Sequence, residues 1–127
     1  QTYTFHLNSN MCFSNGDKLD ADDVAWSINQ LKEKQYYNAN QVASLDKAEA
    51  VDANTVKLTF HPDSNLLWYL TGRPGLVFDK NAKYNAKTEA VGSGPYTVES
   101  FDSASKMVLK ANPKCGKPHT SPPPRTW

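Results

Sequence analysis

Tyr3-Thr4-Phe5-His6-Leu7, Phe13-Ser14-Asn15-Gly16 and Leu19-Asp20-Ala21-Asp22-Asp23-Val24 follow one another at the start of this chain. In the first piece Tyr3, Phe5 and Leu7 alternate with Thr4 and His6, the pattern of a half-buried strand. Asn8-Ser9-Asn10 breaks the strand, and residues 11–13 resume a short extended piece. Ser14-Asn15-Gly16-Asp17 reads as a turn, because Asn-Gly reaches positive φ at low cost. Asp20 is placed as a helix N-cap, with Asp23 at the third helical position and negative charge in the first turn. Val24, Ile28 and Leu31 recur at i, i+4 and i+7 beside Ala21 and Ala25. This predicts an amphipathic helix of about 12 residues ending near Lys32 or Lys34.

Residues 36–41 are polar and aromatic without periodicity. Residues 45–51 read as a strand, Asp52-Ala53-Asn54 as a turn and residues 55–60 as the cleanest strand, with Val56, Leu58 and Phe60 on one face. Pro62 ends it. Ser64 is the expected cap of a short helix carrying Leu66, Leu67 and Leu70. Gly72-Arg73-Pro74-Gly75 is a loop, Leu76-Val77-Phe78 a short buried-strand candidate, and residues 79–90 a surface loop. Residues 96–101 and 106–111 form a second hairpin around a turn at 102–105. The fold class is α+β: a mixed or antiparallel sheet from two hairpins and the N-terminal strand, one main helix, and one or two short ones.

The chain has 127 residues, of which 39% are hydrophobic, enough for one domain with a modest core. Its net charge of +1, from 14 basic and 13 acidic residues, gives no argument for nucleic acid or an anionic membrane surface. No apolar run approaches the roughly 18 residues a membrane helix needs. No basic region followed by an apolar stretch opens the sequence, so a signal peptide is not expected in it and the numbering reads as that of a mature fragment. Cys12 and Cys115 are the two cysteines, too far apart for a CxxC motif. A disulfide between them suits an oxidising compartment; two unlinked thiols are the simpler expectation. Residues 114–127 hold four prolines and no apolar periodicity, the mark of a tail rather than a packed element.

No catalytic set is legible. Asp20, Asp22 and Asp23 serve helix capping better than a cation site, which needs a fuller oxygen pattern. His6, His61 and His119 lack ligand spacing, so no metal and no cofactor is expected. Gly92-Ser93-Gly94 lacks the five-residue nucleophile elbow and reads as a backbone turn, with Pro95 fixing entry into the next strand. Trp26 and Trp68 are read as packing residues. An enzyme is not expected.

Four collinear landmarks carry a family resemblance: the Tyr3-Thr4-Phe5-His6-Leu7 strand; Phe13-Ser14-Asn15-Gly16 with Ala21-Asp22-Asp23-Val24; the hairpin Glu49-Ala50-Val51-Asp52 to Val56-Lys57-Leu58-Thr59-Phe60; and Gly92-Ser93-Gly94-Pro95-Tyr96 with its hairpin and Asn112-Pro113. Together they resemble the family 5 extracellular solute-binding proteins of bacterial ABC transporters, the type that takes up oligopeptides, dipeptides and nickel complexes. The resemblance covers residues 2–113, and residues 1–113 are expected to form one receptor subdomain. In residues 114–127 it fails: Lys114-Cys115-Gly116 stands where the family has an aromatic pair and Gly, so the chain is either cut there or has diverged in frame.

Family members are several times longer and two-lobed, with an N-terminal lobe split into two subdomains. The resemblance implies the smaller of these, in a type II periplasmic-binding-protein-like fold. It implies a fragment of a periplasmic or extracellular receptor, membrane-associated in its parent, that meets a peptide or other small solute and an ABC permease only within the full receptor. In nickel-type relatives an Arg-Pro in the similar loop lines the cleft, which makes Arg73 a candidate ligand contact, its guanidinium suited to a carboxylate. Tyr36 and Tyr37, following the first helix, are the other cleft-wall candidates. The alternative is a standalone or engineered interaction module that self-associates through the face a missing lobe leaves exposed.

Overall fold

A computed structural model describes residues 1–63, 65–85 and 87–112. The strands are β1 (Thr2–His6), β2 (Leu45–Asp52), β3 (Thr55–Phe60), β4 (Tyr96–Asp102) and β5 (Lys106–Ala111), and the α-helices are α1 (Ala21–Glu33) and α2 (Leu66–Leu70). All pairings are antiparallel. The expected single sheet is instead two: a three-stranded sheet ordered β1-β3-β2 and a separate β4-β5 hairpin. The physical reason lies in β4 and β5 themselves. Neither carries the strict apolar alternation of β3, and Tyr96, Phe101, Met107 and Leu109 remain exposed, so no buried face draws the hairpin onto the first sheet.

β3 is the central strand. Val56, Leu58 and Phe60 are all buried on its inner face, against Ala21, Ala25 and Ile28 of α1 and Val42, Leu45, Ala48 and Leu66. The two-residue turn at Ala53 and Asn54 joins β2 to β3.

α1 begins as its sequence dictates. The Asp20 carboxylate accepts from the amides of Asp22 and Asp23 at 3.0 and 3.2 Å, and the Asp23 carboxylate accepts from the Asp20 amide at 3.1 Å, a reciprocal capping box. Along its length the helix also satisfies backbone outside itself. The Asn29 amide donates to the Ala48 carbonyl at 2.9 Å and accepts from the Ala48 N–H at 3.0 Å, and the Lys32 ammonium donates to the Leu45 carbonyl. These bonds lock α1 along the open edge of β2. Ahead of the helix, Gly16 takes φ 101°, and Phe13 is buried where its N–H meets the Asp17 carbonyl at 2.8 Å.

Cys12 is disulfide-bonded and no cysteine among the described residues is free, which corrects the expectation of two unlinked thiols. The chain's one other cysteine, Cys115, lies outside the described residues, as do the expected Ser64 cap, His119 and the proline-rich tail at 114–127. α2 starts at Leu66, and its N-cap residue Asn65 makes no side-chain cap bond. Asp63 organises its approach, accepting from the Ser44 hydroxyl at 2.7 Å and the Asn65 amide at 2.9 Å. Leu76-Val77-Phe78 is not a buried strand: it joins no sheet, and Leu76 and Phe78 are exposed. Trp68, read as packing, is 77% exposed on α2. In a helix this short Leu66 alone is buried, and the opposite side, where Trp68 falls, faces water.

Candidate functional site

On the side of α1 away from β2 lies an open groove of about 740 Å³. Three backbone devices build its rim. The first is the end of α1, where Gln35 and Asn38 adopt φ 51° and 72° and turn the chain so that Tyr36 and Tyr37 project from it. The second is a 3₁₀ turn at Arg73–Gly75 packed beneath α2. A Cβ on Gly75 would sit 1.8 Å from the Leu70 carbonyl oxygen, so only glycine permits that approach. The third is a strap, residues 76–84, that passes beside α1, turns at Lys80 and Asn81 and lines the groove with Leu76, Phe78 and Tyr84.

Arg73, Tyr36 and Tyr37 all line this one groove. The Arg73 guanidinium lies over the Tyr37 ring, 5.2 Å from its centroid, a cation–π contact. Tyr37 is 76% exposed, so the stacked pair stands at the mouth. The apolar wall comes from Trp26, Leu76, Phe78 and Tyr84. Sequence reasoning missed these four. Trp26 is half-exposed and shares the groove with Gln30, one turn on; that i, i+4 pair on the flank opposite the sheet was the available signal.

The strap is held by a polar cluster. Asp79, 5% exposed, accepts from the Asn15 amide at 2.8 Å and from the backbone N–H of Asn81 and Ala82 at 2.8 and 3.2 Å. Burial pushes its carboxyl up, but Asn15, the Asn81 amide, the Asp17 side chain and the Ala82 amide outweigh it and leave Asp79 below its ordinary value of 3.8. Asp23 goes the other way. Burial holds it above 3.8 against the Asp20 and Lys80 amides that pull it down. Lys80 pairs with Asp22 at 2.9 Å on the surface.

These opposite directions fix a pH dependence. Stability from Asp79 is present above 3.8 and is lost as pH falls through its folded value. Stability from Asp23 is present below 3.8 and is lost as pH rises through its folded value. Glu49, Asp52, Asp63 and Asp102 are also held low, by hydrogen bonds from Lys47, Asn54, Asn65 and Ser105, and act in the same direction as Asp79. On acidification from about pH 7 toward about 4 the unaltered chain is therefore expected to gain urea midpoint relative to Asp23→Asn; the same pH dependence in both refutes the assignment.

Among the described residues no group of three or more His, Cys, Asp or Glu is placed to hold a metal ion. His6 lies 3.4 Å from the Thr55 hydroxyl and His61 3.1 Å from Asp46, on separate parts of the sheet. No helix of the described residues is long and apolar enough to cross a membrane.

A family model described as "Bacterial extracellular solute-binding proteins, family 5 Middle" matches residues 1–121. The chain belongs to this family. Family 5 members are solute-binding proteins of transport systems, and this chain matches part of the fold of solved periplasmic binding proteins. One is the PBP/SBP MoaA of A. tumefaciens R10, solved in complex with mannopinic acid. It is 30% identical, with a TM-score of 0.81 over 89% of this chain and 24% of its own. A nickel ABC transporter protein from Bacillus halodurans is 27% identical, with a TM-score of 0.74 over 88% of this chain and 23% of its own. A periplasmic oligopeptide-binding protein from Thermotoga maritima is 26% identical, with a TM-score of 0.71 over 88% and 23%. A putative binding protein of Brucella melitensis is 28% identical over 118 residues, 86% of this chain. The family 5 chain spans 19% of that curated relative and about a quarter of the solved ones.

Proposed function

We propose that this chain is the smaller N-terminal-lobe module of an extracytoplasmic receptor for ABC-transporter uptake of peptides or nickel complexes, with the Arg73 groove as one wall of its solute cleft. Residues 1–113 make up the module and residues 114–127 an atypical tail. The observation that carries this reading is the Arg73 guanidinium stacked over Tyr37 at the mouth of an aromatic groove. Stacking leaves the guanidinium edge free for a carboxylate, and Tyr36 and Trp26 offer flat surface to the rest of a small solute. The receptor works in the periplasm or outside the cell, anchored near its permease, and meets that permease only as a whole. The groove is open on one side, so the module alone holds solute weakly; tight binding needs a second wall to close on it.

Calorimetry tests both halves. The isolated chain titrated with di- and tripeptides and with nickel–histidine is expected to give no micromolar signal; such a signal overturns the one-wall reading. In a receptor containing this stretch, Arg73→Ala should weaken solute binding about 10- to 100-fold, the worth of a charge-assisted hydrogen bond. Unchanged affinity removes Arg73 from the cleft.

A second reading, a self-associating module, draws on the exposed Tyr96, Phe101, Met107 and Leu109 of the β4-β5 hairpin. Light scattering behind size exclusion separates them: a monomer supports the receptor module, a dimer the second reading.

A further inference from the structure

Residues 76–80 join no sheet, yet they run along α1 in step with it. Ser27 and Asp23 are one helical turn apart, about 6 Å along the axis. Phe78 and Lys80 are two residues apart, a step that spans about 6.6 Å at the rise of a strand. The Ser27 hydroxyl accepts from the Phe78 N–H at 2.8 Å and donates to the Phe78 carbonyl at 3.2 Å. One Asp23 oxygen accepts from the Lys80 N–H at 3.2 Å, while the other serves the capping box. As the strap advances from Phe78 to Lys80 the helix recedes from Ser27 to Asp23, so the two run antiparallel. Ser27 and Asp23 are 5% and 3% exposed, and the strap occupies the Ser27 hydroxyl and one of the two Asp23 oxygens. Helix side chains thus do for the strap what a neighbouring strand's backbone does in a sheet.

We infer that Ser27 and Asp23 are positioning residues of the groove: they zip residues 76–80 onto α1 and so set where the wall of Leu76, Phe78 and Lys80 stands. The wall's reach toward Tyr36, Tyr37 and Arg73 is then governed from the buried side of the strap. The inference rests on the cleft-wall reading for its consequence and not for its test.

The test is amide hydrogen exchange, followed by NMR, on the 127-residue chain. In Ser27→Ala the Phe78 and Lys80 amides are expected to exchange about 10- to 100-fold faster, with the Val56 and Leu58 amides of β3 unchanged. Ser27→Thr, which keeps the hydroxyl, should bring the Phe78 rate back toward that of the unaltered chain. An unchanged Phe78 rate overturns the proposal. Equal acceleration in β3 also overturns it, since that is a loss of global stability alone. Should Ser27→Ala not fold, the unaltered chain in rising urea decides: Phe78 and Lys80 opening together below the global transition supports the zip, and opening only with β3 refutes it. A receptor that binds no solute while these amides behave as expected sinks the cleft reading and leaves the zip standing.

Discussion

Phe60→Ala is expected to lower the stability of this chain by about 3–5 kcal/mol, the range for removing a buried aromatic ring. Phe60 is 1% exposed at the end of β3. It sits opposite Leu45 across the sheet, and its ring centroid lies 4.5 Å from that of Tyr3. Its backbone is fixed through both polar groups on the β1 side: the N–H donates to the Gln1 carbonyl at 2.9 Å, and its carbonyl accepts from the Gln1 nitrogen at 2.8 Å. A site pinned this way relaxes little, so the cavity stays open and the cost sits high in the range. Domains have only about 5–15 kcal/mol to lose, and the variant should show a much reduced urea midpoint with an unchanged slope. A loss below about 1 kcal/mol would mean that the core collapses around the gap and that β3 is not held as described.

Cys12→Ser is the second large effect, about 2–5 kcal/mol. A disulfide narrows the ensemble open to the unfolded chain, more so when the loop it closes is long. The Cys12 backbone pairs antiparallel with that of Lys18 across the small turn at Phe13, so the disulfide also anchors a segment with little regular structure. Reduction with dithiothreitol should reproduce the effect of the substitution, and alkylation of the unreduced chain should find no thiol. Identical melting with and without reductant would show that the bond contributes nothing. A structural disulfide belongs to oxidising compartments, where the extracellular family to which this chain belongs operates.

Local chemistry made much of the fold legible. The capping box at Asp20 and Asp23, the Asn15-Gly16 turn and the apolar alternation of Val56, Leu58 and Phe60 are each fixed by residues adjacent in sequence, and each stands where its pattern places it. What the pattern could not decide was which apolar faces find a partner. Leu76-Val77-Phe78 is apolar enough for a buried strand, but Ser27, 51 positions earlier, claims the Phe78 backbone, and Asp23 claims the Lys80 N–H just beyond it. Trp26 and Trp68 are both helical, yet one flanks a groove and the other faces water, a difference made by what packs opposite. The β4-β5 hairpin has the right turn and the right lengths, but nothing in its own sequence says which sheet it would join. Arg73, Tyr36 and Tyr37 come together in one groove because the end of α1 and the Arg73–Gly75 turn meet there. The spacing between them says nothing of that meeting.

The sheet order β1-β3-β2 carries a kinetic consequence. β3 can pair with β2 as soon as the two-residue turn at Ala53 and Asn54 closes, an event on the microsecond scale. Its other edge must wait for β1, whose partners run from Thr55 opposite His6 to Thr59 opposite Thr2, about 50 residues along the chain. Closing so long a loop is entropically costly until α1 and the hairpin have already shaped a docking face. During that interval β3 offers an unsatisfied edge to any other extended chain, including another copy emerging beside it. The late arrival of β1 therefore does more than complete the sheet: it ends the period in which a nascent molecule is most prone to aggregate.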